Sequence, residues 1–357
     1  MGINQIIMYI MAFGAALGGL DRLLGNRFGY GEKFEEGFRM LGPVGLSMAG
    51  IICLAPLLST ALGGLIRPLC ALAGIDPSIL GSILAIDMGG YLLAEELAED
   101  PLLGHFFGII MSATFGCTIV FCIPVGLGFL SEEDRPCFTR GILLGLSALP
   151  VTMVCGGVML GIPLGLLLRN CLPILVISGL LAVGVVKKPD AMIRGFRGFG
   201  RLIQAAATLG LTLAAVSHLS GVTLLKGMPS LLSAMETVSA ICIVMMGSMP
   251  LAELIQRLMK VPFRWIGEKT GLNSASTTAL LLGLVTATPA LAMVPQMNRR
   301  GKVVIPAALV SCVCVFGAHF AFTGNAAPEM VPAMLAAKLV GGLAGGGIAM
   351  LATRDLK

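Results

Sequence analysis

The chain is a succession of continuous apolar runs, each long enough to cross a lipid bilayer. A spanning helix needs about 20 such residues at ~1.5 Å of rise each. Runs of that kind cover residues 3–21, 41–65, 106–130, 141–168, 203–225, 231–255, 303–323 and 331–351. A shorter run, 171–186, lies between Arg169 and Lys187 and reads as a marginal ninth crossing. Barrel strands would alternate apolar and polar residues. These runs do not, so they are helices. Hydrophobic residues make up 56 % of the 357 positions and charged residues 12 %. Soluble folds need more polar surface than that. An ordinary soluble enzyme, a nucleic-acid binder and a disordered chain are excluded. The expected fold class is an all-α polytopic membrane protein.

Two further apolar stretches are interrupted. Residues 77–98 are broken by Asp87-Met88-Gly89-Gly90, and 272–297 by Thr286-Ala287-Thr288-Pro289. Each half is about nine residues, or ~13 Å of helix. Such a stretch is either one broken crossing or a re-entrant hairpin. Basic residues decide between these, because they collect on the cytoplasmic side. With both stretches re-entrant and the N-terminus outside, twenty Lys and Arg fall inside, among them Arg39, Arg201, Arg257 and Arg300, and only Arg67, Arg169 and Lys226 fall outside. With both as full crossings the split is near even. About nine transmembrane helices plus two re-entrant broken hairpins are therefore expected, one hairpin entering from outside and one from the cytoplasm. The net charge of +5 is mainly this topology signal.

The chain also repeats itself. Pro56 and Pro68 recur as Pro250 and Pro262 at a shift of 194, and Phe115-Gly116-Cys117-Thr118-Ile119-Val120-Phe121 recurs as Phe316-Gly317-Ala318-His319-Phe320-Ala321-Phe322 at a shift of 201. The expected domains are a first half, 1–168, a linking span, 169–189, and a second half, 190–357. Under the charge-derived topology the halves are inverted, the plan of many secondary transporters.

Candidate site residues follow from polar groups that lipid would penalise. Asp87 is the sharpest, a carboxylate at a hairpin tip, suited to an ammonium group, a cation or a proton. The plainer reading is an N-cap on the second half-helix, and both can hold at once. Gly89 and Gly90 expose backbone beside it. Thr118 and His319 are equivalent positions, and Thr286, Thr288, Asn273 and Ser276 offer hydroxyl or amide groups in the second hairpin. Asn325 follows the 303–323 run. Lys338 lies inside the last run, with Glu236 one candidate partner; structural pairing is favoured there over substrate contact. Glu95, Glu96, Glu99 and Asp100 face outside, as a solvated loop or a cation-concentrating entrance. The ten cysteines lack CxxC spacing and read as reduced packing residues. Arg194 to Arg201 read as a basic interfacial segment on anionic lipid. Gly341-Gly342 and Gly345-Gly346-Gly347 allow close helix contact. No Walker loop, catalytic triad or metal motif is present, so neither an enzyme nor a cofactor is expected.

The residues also resemble a known family. Met1-Gly2-Ile3-Asn4, Phe34-Glu35-Glu36-Gly37-Phe38, Asp87-Met88-Gly89-Gly90, Thr118-Ile119-Val120-Phe121 with Ile123-Pro124-Val125, Gln296-Met297 with Arg300-Gly301-Lys302-Val303, His319, and Lys338 with Gly341-Gly342 are similar to the EutH family, in order along nearly the whole chain. The chain departs from that pattern at Thr286-Ala287-Thr288-Pro289, which is amide-rich in the family, and at Ala318, where the family has an acid. The resemblance implies a multi-pass permease of the bacterial inner membrane that imports ethanolamine for an ammonia-lyase enclosed in a protein microcompartment. Protonated ethanolamine would give its ammonium to Asp87 and its hydroxyl to Thr118, His319 and the second hairpin. Coupling to a proton, to sodium or to nothing stays open, as does a homo-oligomer. The alternatives are a passive channel or facilitator, and a transporter of another small amine.

Overall fold

A computed structural model of the chain describes residues 3–84 and 90–356. All regular structure among the described residues is helical. The chain runs first through α1 (Ile3–Leu23), α2 (Tyr30–Arg39), α3 (Gly50–Ala73), the short α4 (Ile79–Ile83) and α5 (Gly90–Leu97), α6 (Pro101–Phe129), α7 (Arg135–Ser147) and α8 (Leu149–Met159). Then follow α9 (Leu164–Lys187), α10 (Pro189–Ser220), α11 (Leu231–Thr270), the short α12 (Ser274–Gly283) and α13 (Ala287–Ala292), α14 (Gly301–Cys312), α15 (Ala318–Ala326) and α16 (Val331–Ala352). Eight helical stretches among the described residues are long and apolar enough to cross a bilayer. The run expected at 303–323 is α14 and α15, one path broken at residues 313–317.

One boundary differs from expectation. The run 141–168 is not a single crossing: α8 stops at Met159 and α9 starts at Leu164. Gly161, at φ +72°, and Pro163 divide it, since glycine takes the left-handed turn after a helix and proline favours starting the next. The marginal run at 171–186 thereby becomes a helix of 24 residues. Each ion pair among the described residues joins groups that the charge argument puts on one side, such as Arg22 with Glu35, Lys302 with Asp134 and His105 with Glu95.

Both interrupted stretches fold back as hairpins. In the first, Gly81 of α4 lies against the backbone of Gly90 and the Ala94 methyl. Its base is tied by Asp76, whose carboxylate accepts from the backbone N–H groups of Ser78, Glu99 and Asp100. In the second, the base is tied by amides. Asn273 caps α12 by accepting from Ser276 N and donates to Gln296 O, while Asn298 donates to Gly271 O and caps α14 at Gly301 N. The bases match in sequence, Gly74-Ile75-Asp76 against Gly271-Leu272-Asn273, with both glycines at positive φ. The tip of the first hairpin, with Asp87 and Gly89, lies outside the described residues.

Between crossings, glycine lets backbones touch. Gly50 on α3 meets Gly210 on α10, where an added methyl at Gly50 would sit 1.7 Å from Ala207 O. Gly14 on α1 meets Gly247 on α11 in the same way. Lipid gives apolar helices no hydrophobic reason to associate, so such close packing is what holds them. The buried α14 packs between α7 and α16, where Gly341 lies against Ser311 and Gly345 against Ala307.

Candidate functional site

The second hairpin and the broken helix complete each other. The carbonyls at the end of α12 lack partners within their own helix. Cys314 N donates to Gly283 O at 2.7 Å, and Phe316 N donates to Leu284 O at 2.8 Å. The break at 313–317 therefore caps the hairpin, and its irregular backbone is satisfied by protein rather than left facing lipid.

A cavity of about 280 Å³ opens where these two pieces meet. Thr286 and Thr288 from the hairpin tip, His319 from the first turn of α15, and Cys117 from α6 supply its polar wall. Met48, Met245, Phe121 and Phe322 supply much of the apolar wall. The buried His319 donates from Nδ1 to Val313 O, which fixes the ring and leaves Nε2 as an acceptor when the ring is neutral. Thr286 is half-buried and Thr288 exposed, so both hydroxyls can be reached. The site thus offers hydroxyls and an imidazole paired with the Cys117 thiol to a small polar solute in an otherwise apolar chamber.

A second cavity of about 270 Å³ adjoins the first, sharing Met48 and Phe322. Asn325, Thr237 and Tyr91 line it, and Tyr91 stands one residue after Gly90 in the first hairpin.

The remaining candidates divide differently. Thr118 does not line the central cavity: its hydroxyl donates to Val310 O at 3.0 Å and ties α6 to α14. Asn273 and Ser276 are spent at the hairpin base. Lys338 is fully buried, yet its ammonium donates to Ala113 O at 2.5 Å, in the π-helical part of α6. The suggested pairing with Glu236 is not made, because Glu236 is exposed near the start of α11 while Lys338 is held inside by a backbone carbonyl. Tyr91 and Thr237 carried no sequence signal as lining residues. Phe121 and Phe322 did carry one, as matching positions of the repeat.

These features define a polytopic all-α membrane protein with a solute-sized chamber at the meeting of two helix interruptions. The chain belongs to the EutH family: the description "Ethanolamine utilisation protein, EutH" matches residues 3–352. It is 36 % identical over 344 residues to a Listeria monocytogenes protein named "Probable ethanolamine permease EutH", covering 96 % of this chain and 92 % of that one. An Escherichia coli protein of the same name is 34 % identical over 390 residues, covering 98 % and 96 %. The Bacillus subtilis protein YxeR is 37 % identical over 344 residues, covering 96 % and 93 %. No solved structure matches the chain.

Proposed function

We propose that this protein is an ethanolamine permease of the bacterial inner membrane that works by alternating access between two inverted halves. The observation that carries the reading is the chamber lined by Thr286, Thr288 and His319. Protonated ethanolamine has one hydroxyl for such groups and one ammonium, for which Asp87 on the first hairpin is the acceptor the sequence offers. Names of relatives at 34–36 % identity support the substrate. The two halves are supported by the matched hairpin bases and by the glycine crossings. Gly14 and Gly210 stand at a shift of 196, and Gly50 and Gly247 at 197, so α1 on α11 mirrors α10 on α3. Exchange of conformation between such halves would present the chamber to each side in turn.

The test is uptake of labelled ethanolamine into proteoliposomes, with choline and small carboxylates as competitors, with and without imposed proton and sodium gradients. Saturable uptake blocked by unlabelled ethanolamine is expected. Non-saturating flux would replace alternating access by a passive channel. Asp87→Asn is expected to abolish uptake; unchanged uptake would remove Asp87 from the mechanism. The double variant Thr286→Val, Thr288→Val is expected to raise KM roughly tenfold, the worth of about one hydrogen bond, with little change in maximal rate.

A further inference from the structure

We infer that Cys117 and Cys122 form a redox-active dithiol at the wall of the central chamber, with His319 as the base that activates Cys117. Cys117 lines the chamber, and its thiol is hydrogen-bonded to both Cys122 and His319. Cys122 is buried and does not line the chamber, so a reagent arriving there meets Cys117 first. The two cysteines stand five apart in sequence. On an α-helix that spacing would turn them ~140° from one another, at ~100° per residue. Here Thr118–Cys122 is π-helical, and a π turn bonds residue i to residue i+5. The wider turn brings both sulfurs to one side of α6. It also hides the pair from a reading of cysteine spacing that looks for CxxC.

His319 is set up to act on the first sulfur. Its Nδ1 donates to Val313 O, so Nε2 is the atom left for the Cys117 thiol. A thiol that gives its proton to an imidazole becomes the nucleophile. The Lys338 ammonium is within electrostatic reach of the same sulfur, as a counter-charge for the thiolate. A peroxide entering the chamber would then react in two steps. His319 takes the Cys117 proton, and the thiolate attacks one oxygen of hydrogen peroxide. The O–O bond breaks, and the leaving hydroxide takes the proton back from His319 as water. Cys117 is now a sulfenic acid, oxidised by two electrons. The Cys122 sulfur attacks it, the S–OH bond breaks as the S–S bond forms, and hydroxide leaves with the Cys122 proton as a second water. Two thiols and one peroxide become one disulfide and two waters. A small dithiol returns the two electrons by exchange. The closed bond ties the π turn and takes Cys117 out of its pair with His319, so the chamber loses that polar pair.

The effect on transport rests on the permease reading; the chemistry of the pair does not, and the two are measured separately. Reconstituted wild type is treated with hydrogen peroxide, the remaining thiols are alkylated, and peptide mass locates the bonds. A Cys117–Cys122 disulfide is expected to form before any other among the ten cysteines, with a loss of labelled-ethanolamine uptake that dithiothreitol reverses. Cys122→Ser is expected to carry ethanolamine at the wild-type rate before oxidation, and afterwards to hold Cys117 as a sulfenic acid that dimedone traps. His319→Gln is expected to slow oxidation of Cys117 roughly tenfold or more. Phenylarsine oxide, which needs two sulfurs, is expected to bridge the same pair in untreated wild type, a measurement that needs no variant. A Cys117–Cys314 disulfide, or Cys117 and Cys122 left as free thiols by both reagents, would overturn the dithiol. An unchanged oxidation rate in His319→Gln would remove His319 as the base. A disulfide that leaves uptake intact would sever the pair from transport. If untreated wild type carries no ethanolamine, the permease reading fails while peptide mass still decides the dithiol.

Discussion

Lys338 shows what a buried charge needs. An isolated ammonium in a low-dielectric interior costs several kcal/mol, and a hydrogen bond to a charged group returns only about 1.5–3 kcal/mol. Lys338 has the bond, to Ala113 O, and is otherwise enclosed. Replacing it by an apolar residue of similar length removes the desolvation cost along with the bond. Lys338→Met is therefore expected to melt, in detergent, at or above the wild-type temperature. Lys338→Ala is expected to lose about 2–4 kcal/mol through the cavity it leaves. If Lys338→Met melts normally but loses uptake, the charge serves transport rather than folding. The sequence identified Lys338 as unusual from its depth in an apolar run. It pointed to a carboxylate as partner because charge pairing is the general rule. A backbone carbonyl carries no side-chain signal, and only the fold brings it to Lys338.

At the scale of elements, the hairpins were legible and their anchors were not. Two interruptions in matching places marked half-helices, and the distribution of basic residues required both to return to the side they entered. What holds them closed is Asp76 at one base and Asn273 with Asn298 at the other. The signal was present in Gly74-Ile75-Asp76 and Gly271-Leu272-Asn273, but three residues with one identity fall below what the eye separates from chance. The Asp76 carboxylate accepts from three backbone N–H groups. Leaving buried donors unpaired costs ~1–3 kcal/mol each. Asp76→Ala is thus expected to lower the melting temperature more than Asp76→Asn, which keeps one acceptor oxygen. Equal losses in both variants would mean that the negative charge, not the acceptor geometry, does the holding. Thr118 was legible as a matched position, while the bond of its hydroxyl to Val310 O, which ties α6 to α14, carried no sequence signal.

Across the whole molecule, helices distant in sequence are interleaved. The first helix packs on α11, and α10 packs on α3. Segments 1–168 and 190–357 expressed separately are each expected to be degraded, and co-expression to restore a complex that purifies through a tag on either one. Stable accumulation of one half alone would show that the crossings are dispensable. Gly50→Leu tests the same contact from one position. Its side chain would be driven into the α10 backbone, and loss of folded protein from the membrane fraction is the expected outcome. Gly64, which has open space where a methyl would go, is the control, and Gly64→Ala is expected to accumulate normally.

The crossing of α1 on α11 also sets a schedule for synthesis. The first helix enters the membrane when Gly247, its contact on α11, is still more than two hundred residues from being made. At about 5–20 residues per second, α1 waits roughly 10–45 seconds for that surface. During that interval α2 can cover Gly18 through Phe34, but Gly14 lacks the α11 backbone it will meet. The α10–α3 contact has a shorter wait, because α3 and α10 are separated by less chain. Two contacts alike in geometry are therefore unlike in history, and pulse-labelled protein should become protease-resistant at the α10–α3 crossing before the α1–α11 crossing.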